Sequence, residues 1–536
     1  MSSTVGTSVP VVVRVRESAE RVWNRIDRFL LRLQGRVDTP SYDRWLPYGF
    51  AMLHAALLIV LVLARYHSLD HGAETAKYAQ AAWQIGADLK PVTTLAGGNI
   101  LAEQGSLILY PLGVITSVLP RIETLLVIRS IALAVTIIPL WRLARRHGQL
   151  GIGATSTVAF AFSIYTYVHN MNVADFAPAV LAVPALMFAV LFGFDDRKRL
   201  MTVAIVFVLC CRSDLGLAVA GLGILLLMER HRRVGLIATF LGFGWFLIAM
   251  YGLQRGLSDG TYAFLAPYAD FGETPLRALG GIISHPIRFA KIVGSLANFQ
   301  ILVTLLAPVF FLPLTAPRYL MPAVPLYVLY MGADVPFGRL REAAQTVPMT
   351  VFVFVATVFA LRRTGRILVK RVRVERRIIL ALLVAALVFF VRDSATSPYS
   401  SPWDWNERDA TDIARVEAVA TIDEQGLNVP VRASASLLPL LSERLGVYAL
   451  NVPVLGDASS EVEFSEIMDD VVDSATDRVD WLILDRSIDQ IDNIGLFRAR
   501  MATIGWQLLS DDGVESTPIE IYRFTGVIAS TEEPDG

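Results

Sequence analysis

The sequence predicts an α-helical polytopic membrane protein with about eleven spans and a C-terminal α/β domain outside the cytoplasm. Of its 536 residues, 54% are hydrophobic and only 18% are charged, and the mean hydropathy of +0.51 excludes an ordinary soluble protein. The apolar residues fall into blocks of roughly 16 to 22 residues, the length that crosses a bilayer as a helix. The charge is also divided, because residues 393–536 hold 28 acidic and 9 basic residues and the rest of the chain holds 21 acidic and 39 basic.

The spans are predicted from the apolar runs, and their direction from the places where Lys and Arg collect. The runs lie near 46–64, 124–143, 150–168, 177–194, 200–212, 214–229, 234–253, 294–313, 318–334, 346–361 and 377–392. The run 106–119 is predicted to dip into the membrane and return. With this choice every basic cluster, from Arg142 to the stretch 362–377, faces the cytoplasm, and the C-terminus lies outside the inner (plasma) membrane.

This topology divides the chain into segments with different surroundings. Residues 18–36 have the pattern of a basic amphipathic helix on the membrane face, although an ordinary positively charged flank explains them equally well. The predicted segments are a cytoplasmic N-terminal segment 1–45, a transmembrane domain 46–392 with outer loops 65–123 and 254–293, an acidic domain 393–529 and a disordered tail 530–536.

The acidic domain alternates short apolar segments with helical patterns, as α/β domains do. Strands are predicted at 429–433, 446–450, 480–484 and 518–524, and helices at 409–425 and 488–504. The domain is therefore expected to contain one sheet with helices packed on it.

Several short segments resemble a known group of membrane enzymes. Glu74-Thr-Ala-Lys-Tyr78-Ala, just after the first span, is similar to the acidic-x-x-x-Tyr-Ala signature of GT-C type membrane glycosyltransferases. Other segments resemble an uncharacterised bacterial membrane family, with a domain of unknown function, that is often grouped with that superfamily. They are Leu101-Ala-Glu-Gln-Gly-Ser-Leu-Ile-Leu-Tyr-Pro111, Val173-Ala-Asp-Phe-Ala-Pro178, Arg212-Ser-Asp214 and Trp481-Leu-Ile-Leu-Asp485. In order and spacing the resemblance runs from about residue 70 to about residue 525, and no single motif in it is specific.

The resemblance implies a GT-C-like fold and a defined reaction. A sugar would pass from a polyprenyl-phosphate donor to an envelope glycan, lipid or protein on the outer face of the membrane. The chain departs from the family in several polar positions: the family usually has Asp at the position of Glu74, His near Gln104, and Lys-Glu-Asp where this chain has Arg212-Ser-Asp214. These departures put a metal site in doubt and leave the retention of catalysis open.

Three carboxylates are candidates for the catalytic base, because a carboxylate can accept the proton of the attacking hydroxyl. Glu74 is the first candidate, since Tyr78 follows it at the family spacing, and Asp70 is the second. Asp175 is the third, at the position of the superfamily's second acidic residue. Two of them have a structural alternative: a pair of Glu74 with Lys77 on an exposed helix, and a cap by Asp175 on the helix that starts near residue 177.

Six further residues are candidates for binding the substrate. Arg212 suits a lipid phosphate because its planar guanidinium forms paired hydrogen bonds, although an internal pair with Asp214 explains the interruption of the apolar sequence equally well. The full set of candidates is Tyr78, Gln104, Arg212, Asp214, Arg255 and His285.

No cofactor is predicted, and a divalent metal stays an open alternative. The two cysteines, Cys210 and Cys211, are adjacent and suit neither a disulfide framework nor a thiolate metal site. The expected partners are a polyprenyl-phosphate-linked sugar, membrane lipids and, through the C-terminal domain, envelope proteins. Nucleic acid is not expected, because the basic residues flank spans and the exposed domain is acidic.

Two other functions compete with the enzyme. A non-catalytic envelope assembly or scaffold protein is favoured by the polar side chains that this chain lacks relative to the family. A lipid or solute transporter is less favoured, because such proteins commonly repeat one half of the chain in the other, and no such repeat is apparent.

Overall fold

The computed structural model describes residues 39–258, 265, 268–333, 343–368, 371–450, 471–489, 491, 493–509 and 518–526. The predicted amphipathic helix 18–36 and the predicted tail 530–536 lie outside the described residues. The described residues form a bundle of apolar helices, on one end of which a small mixed α/β unit is seated.

The first helix, α1, runs from Pro40 to His67 and has the composition of a membrane span. Pro40 stands in the first turn, where its missing N–H costs nothing, and Asp43 complements the positive end of the helix dipole. Leu58 and Val62 are fully buried on its inner face, whereas Met52 and other apolar side chains of its second face are exposed. Such an exposed apolar face is what lipid covers.

The remaining helices are mostly apolar and connected by short segments. In the first half of the chain they are α2 Ala73–Gly86, α3 Ile100–Gln104, α4 Leu109–Thr116, α5 Arg121–Val135, α6 Ile137–Arg146, α7 Ile152–Ser163, α8 Thr166–Val173, α9 Ala182–Phe194, α10 Lys198–Cys211, α11 Leu215–Met228, α12 Arg232–Ile248 and α13 Arg255–Leu257. After them come α14 Pro275–Ser284 and α15 Pro286–Val293, which lie in the second predicted outer loop, and then α16 Leu296–Leu306, α17 Val324–Gly332, α18 Val347–Thr364 and α19 Arg376–Asp393.

Within the described residues, five helical stretches are long and apolar enough to cross a membrane. They are Pro40–His67, Arg121–Arg146, Arg232–Leu257, Ala344–Thr364 and Arg376–Ser400. A sixth is added if Pro286–Val293 and Leu296–Val309, which meet at a bend of 48°, count as one broken span. Pro178–Phe194 and Leu215–Met228 are apolar but shorter, so the total of about eleven spans stays a prediction.

The run 106–119 contains only the eight-residue helix α4, which is too short to cross a bilayer. It packs tightly against α2 because Gly113 lets the two helices approach. A side chain at Gly113 would meet the Cβ of Ile85 at 2.8 Å and the carbonyl oxygen of Ala82 at 2.9 Å. The close packing of α4 against α2 therefore requires glycine at residue 113.

The basic clusters gather at one end of the helix bundle. Arg146 forms an ion pair with Asp195 at 2.8 Å, and Arg362 donates a hydrogen bond to the carbonyl oxygen of His147 at 2.7 Å. These residues come from three different connections of the chain. Their meeting at one end agrees with the charge distribution from which the topology was predicted.

The described C-terminal residues form a five-stranded sheet with helices α20 (Ala410–Asp423) and α21 (Ile494–Thr503). The strands of this sheet are β5 Val431–Ala433, β6 Val447–Ala449, β7 Trp481–Asp485, β8 Trp506–Leu508 and β9 Ile519–Phe524. The strands β1 to β4 lie earlier in the chain and form two separate hairpins. They are β1 Val92–Thr93 with β2 Gly98–Asn99, and β3 Arg366–Leu368 with β4 Arg371–Arg373. The order is β6-β5-β7-β9-β8, with β5 parallel to β6 and β7, and β9 antiparallel to β7 and β8. The four predicted strand segments coincide with β5, β6, β7 and β9, and β8 was not predicted.

The C-terminal unit is seated directly on α2. Ala76 of α2 is fully buried in the same apolar cluster as Val431 and Ile483 of the sheet. The side chain of Gln80 donates a hydrogen bond to the carbonyl oxygen of Arg444 at 2.9 Å. One face of α2 therefore belongs to the core of the C-terminal unit.

Candidate functional site

The candidate site is built around the helix α2, which carries Glu74 and Tyr78. The face that does not enter the C-terminal unit carries Lys77, whose ammonium group lies 2.8 Å from Glu74 and 3.0 Å from Glu103 of α3. The Lys77 side chain is only 7% exposed, whereas that of Glu74 is 58% exposed. A buried cation thus holds an exposed carboxylate in place.

Lys77 keeps its charge in this position. Burial alone disfavours the ammonium form, but the carboxylates of Glu74 and Glu103 outweigh this effect, so the pKa of Lys77 is raised above the ordinary lysine value. Two of its three N–H groups are used by the two carboxylates. The ammonium also lies 5.2 Å from the ring centre of Tyr78, which is itself buried.

A second polar cluster is formed by Arg212, Asp214 and Tyr330. The Arg212 side chain donates to Asp214 at 2.6 Å and to the hydroxyl of Tyr330, and that hydroxyl donates to Asp214 at 2.5 Å. A third hydrogen bond joins Arg212 to the carbonyl oxygen of Ala344 at 3.3 Å. The internal pair of Arg212 with Asp214, which was the alternative to phosphate binding, is thus present, and Tyr330 of α17 completes it.

The short helix α3 connects the two clusters. The amide of Ser213 donates to the carbonyl oxygen of Gln104 at 2.9 Å, and the side chain of Gln254 donates to the carbonyl oxygen of Glu103 at 3.1 Å. Gly105 ends α3 in the left-handed conformation with φ of 65°, in a place where a side chain would press on Ser213. The backbone of α3 therefore fixes the Lys77 cluster against the turn that carries Arg212.

Asp175 lies at the start of α2 and away from Lys77. One of its carboxylate oxygens accepts from the amide of Gly72 at 2.8 Å and from the hydroxyl of Thr75 at 3.0 Å. Asp175 therefore caps α2, a helix about a hundred residues earlier in the chain. It does not cap the helical turn that starts at Pro178, which was the predicted alternative. Burial opposes its ionisation, but the neighbouring His71 and the hydrogen bonds from Gly72 and Thr75 prevail and lower the pKa of Asp175.

His71 lies beside Asp175, with 3.5 Å between its Nδ1 and the carboxylate oxygen. The ring is buried, and this contact lacks the geometry of a hydrogen bond. Burial lowers the pKa of His71, an effect that Asp175 only partly offsets, so the ring is neutral at pH 7. His71 also lines a crevice together with Ser436 and Leu440 of the C-terminal unit.

Arg129 holds the segment that carries Asp175. Its guanidinium is fully buried and donates to the carbonyl oxygens of Asn172, Ala174 and Asp175. Asn172 in turn donates to the carbonyl oxygen of Leu58 at 2.8 Å. A network of buried polar groups therefore ties the position of Asp175 to helices α1 and α5.

The remaining predicted residues have varied positions. Asp70 is exposed and pairs with Arg65 at 2.9 Å. Arg255 is exposed and directly follows Gln254, so it lies beside the residue that contacts α3. His285 is exposed at the joint between α14 and α15 and lies 3.2 Å from the carbonyl oxygen of Gly281, within its own loop.

Three residues of these clusters, Lys77, Glu103 and Tyr330, were not predicted as site residues. Lys77 and Glu103 belong to two of the motifs that resemble known families. They lie 26 residues apart, and nothing in the sequence indicates that their side chains are in contact. Tyr330 lies in an apolar run that has the pattern of a membrane span, and its contact with Asp214 joins residues 116 positions apart. A polar ring within such a run was the only available signal.

A divalent metal was the open alternative for this site. Within the described residues, no group of three or more His, Cys, Asp or Glu side chains is arranged to hold a metal ion. The two carboxylates that come together, Glu74 and Glu103, are bridged by the ammonium group of Lys77.

The chain is similar to two solved structures and to one described family. No curated protein matches the chain. Two solved structures of ArnT from Cupriavidus metallidurans resemble it with 10% sequence identity. The match to the form bound to undecaprenyl phosphate has a TM-score of 0.46 and covers 91% of this chain and 99% of the ArnT chain. The match to the apo form has a TM-score of 0.48 and covers 89% of this chain and 98% of the ArnT chain. At these values the likeness supports no conclusion about activity. The model of the family described as "Predicted membrane protein (DUF2079)" matches residues 67–512, and the chain belongs to this family.

Proposed function

We propose that the chain is a membrane glycosyltransferase that moves a sugar from a polyprenyl-phosphate donor to an acceptor on the outer face of the membrane. One observation carries the proposal: an exposed carboxylate, Glu74, and a buried cation, Lys77, lie one helical turn apart. They follow the C-terminal end of α1, whose N-terminal end carries Asp43, paired with Arg145 of the basic clusters. This combination supplies both groups that the transfer needs, a base for the acceptor and a positive charge for the donor phosphate.

The proposed reaction is a displacement at the anomeric carbon of the donor sugar. The acceptor hydroxyl gives its proton to Glu74 while its oxygen attacks that carbon. The bond between the carbon and the phosphate oxygen breaks, and polyprenyl phosphate leaves with the bonding electron pair. Glu74 suits this step because its carboxylate is more than half exposed and an acceptor can reach it.

Lys77 is assigned to the phosphate of the donor. Its ammonium is protonated, because its pKa is raised. Two of its N–H groups donate to the two carboxylates, and among the described residues no acceptor is present for the third. Arg212 is given a different task from the one first expected, because its hydrogen bonds go to Asp214, Tyr330 and Ala344. We assign it to fixing the turn on which α3 rests.

Asp70 and Asp175 are the weaker candidates for the base. Asp175 already accepts two hydrogen bonds at the start of α2, so proton transfer would compete with its role as a cap. Asp70 pairs with Arg65 and lies outside the Lys77 cluster. Both remain alternatives if Glu74 is replaced without loss of activity.

A scaffold function is the second candidate, and the seating of the C-terminal unit on α2 favours it. In that case Glu74 serves only to neutralise Lys77, and the exposed acidic surface of the C-terminal unit binds envelope proteins. Transport receives no comparable support from any described contact.

A comparison of the sugars of the cell envelope distinguishes the transferase from the scaffold. Lipid-linked and envelope sugars are compared by mass spectrometry between the wild-type strain and a strain that lacks the protein. Accumulation of one polyprenyl-phosphate sugar together with loss of one envelope sugar supports the transferase. Unchanged lipid-linked sugars, with altered assembly of envelope proteins, support the scaffold and contradict the transferase.

A further inference from the structure

The second predicted outer loop contains a pair of helices, α14 and α15, which we name the loop hairpin, residues 275–293. Thr274 begins it, because its hydroxyl accepts a hydrogen bond from the amide of Arg277. Pro275 and Pro286 open the two helices at positions where proline is tolerated. The hairpin is therefore a defined element and not an irregular connection.

One face of the loop hairpin packs on α17. Ala278 is buried, and Ile282, Phe289 and Ile292 pack with it against Leu329 and neighbouring residues. The ring of Phe289 lies over Gly332 so closely that any side chain there would collide with it. This inner face accounts for the attachment of the hairpin to the bundle.

The loop hairpin also has a second apolar face, which is exposed. Leu276, Leu279 and Ile283 follow each other at helical spacing along α14, and Ile287 is an exposed apolar residue near the start of α15. These four side chains, which we call the stripe, are 54–74% exposed. Exposed apolar side chains grouped in this way on a loop mark a surface that is covered by lipid or by a partner.

The position of the stripe identifies what covers it. Pro286–Val293 continues, through a bend of 48°, into the apolar stretch Leu296–Val309. Leu296 and Phe299 at the start of that stretch are themselves exposed, so exposed apolar side chains extend from the hairpin into a stretch with the composition of a span. The hairpin is therefore held at the boundary of the bilayer by its covalent connection.

The charges of the loop hairpin fit the same surroundings. Arg277 and Lys291 are exposed, and Arg288 pairs with Asp270. Apolar side chains on one face with Arg and Lys beside them are the composition of helices that lie in a membrane interface. Anionic head groups complement such cations at the level where apolar side chains enter the acyl region.

From these observations we infer that the loop hairpin is embedded in the leaflet on the predicted outer side, with the stripe Leu276, Leu279, Ile283 and Ile287 in the acyl region. The covering partner is the lipid bilayer and not a second protein. Since α15 packs on α17, and α17 carries Tyr330, lipid contact at the hairpin supports the helix that completes the Arg212 cluster. The inference is independent of the proposed transfer reaction.

Site-directed spin labelling tests the inference on the full chain, reconstituted in vesicles of phosphatidylethanolamine and phosphatidylglycerol. Cys210 and Cys211 are first replaced by alanine, and single cysteines are introduced as Leu279→Cys and Ile283→Cys. Two equally exposed apolar positions serve as references, because Val384 and Leu427 are both 51% exposed. Val384 lies on the span α19, and Leu427 lies in the C-terminal unit.

Collision with oxygen and with a water-soluble nickel complex is then compared among the four labels. The inference predicts that residues 279 and 283 resemble 384, with a ratio of oxygen to nickel collision at least about tenfold above that of 427. A ratio equal to that of 427 places the hairpin in water and overturns the inference. Protection from both reagents places a protein on the stripe and overturns it as well.

Discussion

Lys77 is the residue that connects most of the site, and its behaviour follows from its neighbours. It is nearly buried, yet two carboxylates hold its charge. Glu74 and Tyr78 were predictable from the sequence, because they belong to a motif at fixed spacing. Glu103 was not predictable as the second partner, because that contact depends on how α3 turns back toward α2.

Replacing Lys77 tests its assignment to the donor phosphate. Lys77→Gln removes a charge-assisted hydrogen bond and is expected to lower transfer about tenfold to a hundredfold. Lys77→Arg keeps the charge and should retain a larger share of the activity. Transfer is measured as restoration of the envelope sugar in the strain that lacks the protein. Equal activity of wild type and Lys77→Gln would remove Lys77 from the site.

His71 predicts a dependence of stability on pH. The pKa of His71 in the folded chain lies below the ordinary value of 6.5, because burial disfavours the imidazolium. Above pH 6.5 the ring is mostly neutral in both states, and below it the unfolded chain binds the proton first, so stability falls as the pH falls. Asp175, Arg129 and Arg65 are the charged groups that act on the ring.

The measurement compares thermal unfolding of wild type and His71→Gln in detergent between about pH 7.5 and pH 5.5, a window set by the ordinary histidine pKa. The midpoint of the wild type should fall more steeply than that of the variant. In the wild type Asp175 titrates at more acidic pH than this window, because its pKa is lowered. Parallel curves for the two proteins would contradict the prediction.

At the scale of elements, α2 is shared between two bodies of the molecule. Ala76 and Gln80 face the C-terminal unit, and Glu74 and Lys77 face the candidate site. Most helices and strands were predictable because their apolar periodicity is strong. The strand β8, which comes directly after the predicted helix 488–504, was missed, and no pattern within α2 reveals that this helix has two partners.

The contact between α2 and α4 gives an element-scale prediction. Gly113→Val would place methyl groups against Ile85 and Ala82, and overpacking of this kind typically costs about 1–3 kcal/mol of stability. Gly244→Val is the matched control, because nothing lies within 4 Å of a side chain placed there. Thermal unfolding in detergent should show a lower midpoint for Gly113→Val than for Gly244→Val. Equal midpoints would mean that α2 and α4 are not in close contact.

At the scale of the whole molecule, the C-terminal unit and the helix bundle are joined by partly buried hydrogen bonds. The hydroxyl of Thr94 donates to the carbonyl oxygen of Val447 at 2.5 Å and accepts from its amide at 3.0 Å. The charge division along the chain predicted two separate surroundings. It held no information about this seating, because the contacts join residues 353 positions apart.

Thr94→Val tests that seating. The substitution leaves the backbone groups of Val447 without their partner, which typically costs about 1–3 kcal/mol. Thr421→Val is the control, because the Thr421 hydroxyl bonds within its own helix and is exposed. Limited proteolysis of the linker around residues 394–409 should be faster for Thr94→Val than for Thr421→Val. Identical rates would show that Thr94 does not hold the C-terminal unit on the bundle.

The most direct test of the proposed function is complementation of the strain that lacks the protein with wild type, Glu74→Gln or Glu103→Gln. Both variants remove one carboxylate from Lys77, but only Glu74 is assigned as the base. If it is the base, Glu74→Gln leaves the lipid-linked sugar accumulated, with transfer reduced roughly a hundredfold to ten-thousandfold, whereas Glu103→Gln restores most of the envelope sugar. Full restoration by Glu74→Gln would contradict the assignment of Glu74 as the catalytic base, and would leave Asp70 or Asp175 as the base or the scaffold as the function.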